Sequence, residues 1–163
     1  MKMDHEEVIL RNPALGARTF WQFANAYSEG KTGDPPSLPV FLVAAGMLYH
    51  RSSVQKIKGM KFESGLLKAV SDRPDIVAGL QHRIESYARE ALEALQVGVS
   101  SGLLLREGGE GLPAFRAIGP ALPLAIRDAS GHVNEMFLAA KRLGTWFATE
   151  SLQSLQRRLI IEF

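Results

Sequence analysis

The side chains best suited by type to carry chemistry are the four histidines, His5, His50, His82 and His132. They lie far apart along the chain. His132 and Glu135 stand at the spacing that puts two ligands on one helix face, but no third ligand accompanies them, and a metal centre needs at least three. No cysteine is present, which removes disulfides, thiolate nucleophiles and every zinc site built on paired cysteines. Of the carboxylates, Glu6 and Glu7 sit near the start of the chain, and Glu85, Glu90 and Glu93 read as the solvated face of a helix. Ser100-Ser101-Gly102 lacks the frame of a nucleophile elbow, and Gly108-Gly109-Glu110-Gly111 puts a carboxylate where a phosphate cradle needs positive charge. Catalysis would require distant residues to converge, such as His82 with Glu85 and Ser86 in a cleft. The sequence therefore predicts no catalytic group, no metal and no cofactor.

Binding is better supported. Arg51, Lys56, Lys58 and Lys61 fall in a stretch with no acidic residue, and Arg106 and Arg116 flank a predicted hairpin. All six are candidate phosphate contacts for nucleic acid, against the plainer expectation of a solubilising basic face. The net charge of +2 does not by itself announce a nucleic-acid binder. Trp21, Trp146 and Phe163 are candidate anchors of a protein interface, since aromatic rings bury large area at small entropic cost; for the tryptophans, core packing is the competing fate.

These residues must be positioned by a mainly α (α+β) fold. Asn12-Pro13 combines an N-cap with the residue preorganised for the first helical position, and Leu15, Phe20, Phe23 and Tyr27 follow at helical spacing. A helix is expected from Pro13 to about Glu29, ended by Gly30 in a left-handed conformation. Thr32 to Pro36 is a loop, and from Pro39 the run PVFLVAAGMLYH is apolar nearly all round, as a central helix would be. At about half the roughly 20 residues of a membrane span it reads as core, so no membrane contact is expected. A short basic piece from Ser52 to Lys58 and a helix from about Glu63 to Val70 come next.

Ile76, Leu80, Ile84, Tyr87, Ala91 and Leu95 then share one stripe, on one long helix or on two joined near Ser86. Leu103 to Ile118, with its central glycines, predicts a β-hairpin. Gly119 to Ala129 is a connection, His132 to Ala148 a further amphipathic helix, and Ser151 to Gln156 one more turn or two. The terminal LIIEF has strand-like composition and is expected as a third strand beside the hairpin or as an edge for a partner's sheet. Residues 1–163 form one expected domain, with a helical half over 12–72 and a winged-helix-like part over 74–163 whose wing is the hairpin. Acidic residues near the start, in place of a basic and apolar leader, predict a cytoplasmic location.

Several segments together resemble the middle-component proteins of bacterial three-component ABC ATPase (ABC-3C) systems. They are NPAL, FWQFANAY, FLVAAGMLYHR, SGLL before RPDI, SYAREALEALQVGVSSGLLLRE and RLGTWFA, spread along most of the chain. All are packing and turn motifs, so the resemblance carries no catalytic residue. It implies a small helical, winged-helix-like adaptor between an SMC-like ABC ATPase and an effector protein encoded nearby, in systems of defence against phage and other invading DNA, with nucleic acid reached through the complex. The alternative is a stand-alone winged-helix DNA-binding regulator. A recognition helix for that role needs base-reading side chains, and AREALEALQVGVSSG offers little beyond Arg89 and Gln96.

Overall fold

The computed structural model describes residues 5–108, 111–119 and 131–163. After a short α1 (His5–Leu10) comes α2 (Pro13–Gly30), where the Asn12 side chain accepts from the Leu15 N–H and Pro13 takes the first turn, as the sequence predicts. Gly30 is not left-handed but the last residue of the helix. Its lack of a side chain serves a close approach: a Cβ there would stand 2.8 Å from the Ala148 Cβ. The apolar run forms α3 (Leu38–Leu48), buried along almost its whole length, and α4 (Arg51–Ile57) and α5 (Gly65–Asp72) follow.

The striped segment is one helix, α6 (Leu80–Ser100), preceded by a 3₁₀ turn over Pro74–Ile76. The interruption falls not at Ser86 but before Leu80, where Gly79 has φ 74 and lets the chain enter α6 from a left-handed residue. Ser86 lies mid-helix. Arg83 locks this junction by donating to the carbonyls of Gly46, Ala78 and Ile76, and so satisfies acceptors at the end of α3 and in the turn together.

Gly102, at φ 80, ends α6, and the Leu103 N–H returns to the Gly98 carbonyl at 2.9 Å. The chain then enters a hairpin of β1 (Leu104–Glu107) and β2 (Ala114–Ala117), antiparallel with Leu104 opposite Ala117 and Glu107 opposite Ala114. Beyond it lie α7 (Gly131–Ala148) and α8 (Leu152–Leu159), the latter capped by the Ser151 hydroxyl accepting from the Ser154 N–H. Gly109 and Glu110 of the expected turn, and residues 120–130 of the expected connection, lie outside the described residues.

The LIIEF strand does not form. Leu159 closes α8, Ile160 turns left-handed, and Ile161 is buried with its N–H on the Gln156 carbonyl. The cap at Ser151 and the burial of Leu155 and Leu159 on one helix face outweigh the β-propensity of the isoleucines. The outer edge of β2 is joined instead by the chain ahead of α3: the Phe115 N–H donates to Pro36 at 3.0 Å, the Leu38 N–H to Pro113 at 2.8 Å, and Ser37 bridges Ala114.

One core cluster runs through all of this. Phe23 meets Phe147 edge to face at 5.7 Å and Phe41 meets Phe115 at 5.6 Å, which joins α2 and α3 to α7 and the hairpin.

Candidate functional site

The basic run becomes α4 and the turn after it, and most of its cations are engaged. Glu135 on α7 accepts from the Lys58 ammonium at 2.8 Å and from the Gln55 amide at 2.8 Å, with the Arg51 guanidinium at 3.6 Å. These contacts hold the Glu135 carboxyl below the usual carboxylate range, the Lys58 hydrogen bond first among the causes and the charges of Lys58, Arg51 and His132 adding to it. Lys56 pairs with Asp75. Lys61 is exposed and has no ion pair among the described residues. His132 thus lies near a carboxylate already claimed by α4. Among the described residues no group of three His, Asp or Glu side chains comes together.

At the hairpin, Arg116 grips Glu107 through two hydrogen bonds, at 2.8 and 3.1 Å, and donates to the Gly33 carbonyl. The pairing lowers the Glu107 carboxyl pKa and raises that of the guanidinium. Arg116 therefore ties β2 to β1 and to the loop after α2, while Arg106 projects exposed from β1. The two basic residues of the hairpin do different work.

Both tryptophans are packed inside. Trp21 is 6% exposed and Trp146 2%, so neither ring presents a face to a partner. Each indole N–H instead finds a distant carbonyl, Trp21 that of Ile118 at 2.7 Å and Trp146 that of Phe62 at 3.0 Å. Arg142 strengthens the second anchor by donating to Met60 and stacking over the Phe62 ring at 4.6 Å. Phe163, by contrast, is 54% exposed. His82, Glu85 and Ser86 share the outer side of α6, where the Ser86 hydroxyl and the His82 Nε2 are 3.4 Å apart and Glu85 accepts from Gln81 at 3.1 Å. All three side chains are exposed, and Glu85 alone of them lines an open hollow, beside Arg157 and Glu162.

Sequence reasoning missed the exposed aliphatic side chains: Leu67 on α5, Leu92 on α6, Leu105 and Leu112 at the hairpin, and Ile160 after α8. A signal existed for Ile160. Leu155 and Leu159 already fill the core face of α8, and a residue directly after Leu159 cannot point the same way.

Fold and surface together define a mainly helical α+β protein with many of its charged groups paired within the chain and several apolar side chains exposed. Its family is specific. The chain belongs to the ABC-three component (ABC-3C) system Middle Component 3 family, MC3, whose model matches residues 1–163. It is thus a component of a three-part system. No curated protein and no solved structure matches it. No helix among the described residues is long and apolar enough to cross a membrane.

Proposed function

We propose that the protein is a non-enzymatic adaptor that couples an SMC-like ABC ATPase to an effector component, both encoded nearby, in a bacterial cytoplasmic system of defence against phage and other invading DNA. The observation that carries this reading is the match of the middle-component family over residues 1–163. A middle component works by contact, and the exposed Leu92, Leu105, Leu112 and Phe163 supply apolar surface for it. The hairpin serves as a wing-like contact element held rigidly by Arg116 and by the strand-like segment before α3. Nucleic acid is reached through the complex, with Lys61 and Arg106, the two of the six candidate contacts without an ion pair among the described residues, approaching a phosphate.

The test is co-expression with the two neighbouring genes and purification through a tag on this chain. Recovery of the ATPase and the effector in one complex, and loss of the link between them when this chain is omitted, is the expected result. Absence of both proteins from the purified material overturns the reading.

A further inference from the structure

With 6 residues, α1 is well short of the roughly 12–15 that a helix needs to persist alone in water. It is helical because it is docked. Ile9 anchors it, 2% exposed and part of the core cluster, and Leu10 packs against the same cluster.

Two helices that α1 meets depend on it unequally. The start of α2 is self-contained: the Asn12 side chain accepts from the Leu15 N–H at 3.1 Å, Pro13 fills the first turn, and the Gly16 N–H meets the Asn12 carbonyl at 3.1 Å. The start of α4 is not. His50, the residue before it, gives no side-chain cap, and its ring is paired with the Ser53 hydroxyl at 2.9 Å. The Arg51 N–H, first of α4, donates instead to the Glu6 carboxylate of α1 at 3.2 Å, across 45 residues of sequence. α4 thus borrows from α1 the cap that α2 supplies for itself.

We infer that α1 is a strap, which docks and undocks as a unit over an otherwise folded chain and whose position is transmitted to the start of α4. Undocking withdraws Ile9 and Glu6 together, because both stand on one short helix. The turn at Asn12 and Pro13 is the hinge. α2 keeps its cap and stays wound, while the Arg51 N–H loses its acceptor and the first turn of α4 loosens. Arg51 is one of the three side chains that reach Glu135, with Gln55 and Lys58, so release of α1 is felt at the joint between α4 and α7. Local opening of this kind leaves the rest of a fold intact where the remaining elements hold their own ends and core. The strap does not depend on the adaptor reading.

Native-state amide hydrogen exchange on the full chain, resolved by residue, tests this. The Arg11 and Asn12 N–H groups, bonded to the Glu7 and Ile9 carbonyls, report the strap, and the Arg51 N–H reports the cap. The expected result is one shared opening for all three, with exchange roughly tenfold or more faster than at Gly16 and Phe20 of α2. Ile9→Asp, which cannot hold the docked position, speeds all three further and leaves Gly16 and Phe20 protected. Glu6→Ala speeds Arg51 and leaves Arg11 and Asn12 as they were, since Ile9 still holds α1 in place. A merely structural contact does not produce that split. An Arg51 amide indifferent to both substitutions overturns the inference, as do Arg11 and Asn12 amides that open only with the whole chain, or loss of Gly16 and Phe20 protection in Ile9→Asp. Each outcome is distinct from the co-purification test, which concerns other proteins.

Discussion

Glu135 concentrates the electrostatics of α4, since Arg51, Gln55 and Lys58 all reach its carboxylate. Its pKa lies lower in the folded chain than in the unfolded one, so folding favours the ionised form. The resulting stabilisation is full above the ordinary glutamate range near about 4.3 and is lost as pH falls through the depressed folded value. Glu135→Gln is expected to cost about 1 kcal/mol at neutral pH, read as a lower urea midpoint, with the gap to the unsubstituted protein closing in acid. An equal gap at both pH values would show that the loss is one of packing. Trp146→Phe isolates a different contribution. It keeps an aromatic ring in the core but leaves the Phe62 carbonyl without its donor, at an expected cost of about 1–3 kcal/mol in the same measurement. Neither contact was legible in the sequence. The basic run contains no acid, and the carboxylate that neutralises Lys58 lies 77 residues further on. Likewise an aromatic at helical spacing announces burial, while the carbonyl that its N–H meets, 84 residues away, is a product of the fold.

The elements themselves were largely legible because their ends carry local chemistry. Asn12-Pro13 opens α2 by side-chain capping, and Gly102 ends α6 by a backbone that other residues resist. The failures fell where a local preference met a tertiary competitor. LIIEF has strand propensity, but burial of Leu155, Leu159 and Ile161 against the core decides its path; Ser86 has capping chemistry, but the helix stripe runs through it unbroken. How closely two helices approach was also hidden. At the crossing of α2 and α7, a Cβ on Gly144 would lie 2.4 Å from the Phe23 carbonyl oxygen and 2.9 Å from the Ala26 Cβ. Backbone cannot yield as a flexible side chain can. Gly144→Ala is therefore expected to push the helices apart and destabilise by about 1–3 kcal/mol, visible as a lowered thermal midpoint. Gly59→Ala is the control. Nothing lies within 4 Å of its added methyl and its φ is not positive, so it should be neutral or slightly stabilising. Equal effects of the two substitutions would dissociate Gly144 from the crossing.

At the scale of the molecule, the helical half over 12–72 and the part over 74–163 share one interior. Phe20, Phe23 and Phe41 from the first pack in the same cluster as Leu95, Phe115 and Phe147 from the second. The aromatic contacts Phe23–Phe147 and Phe41–Phe115 cross the boundary directly, as do the hydrogen bonds from Trp21 to Ile118 and from Arg83 to Gly46. Removing the second part would expose the buried faces of α2 and α3, which carry Ala17, Phe20, Ala24, Phe41 and Met47, and removing the first would uncover Leu95, Phe115 and Phe147. The two parts close one core cluster between them. The full chain is accordingly expected to unfold in one cooperative transition, with calorimetric and van't Hoff enthalpies in agreement, and the fragment 12–72 to show no cooperative melt. Two resolved transitions, or a folded 12–72 fragment, would mean that the boundary near Arg73 separates units able to stand apart. The adaptor reading makes the same demand from the side of function. A subunit that links two partners transmits force or position between them only if the surfaces it offers, from the hairpin to the end of α8, are mounted on one body that gives way as a whole and not in pieces.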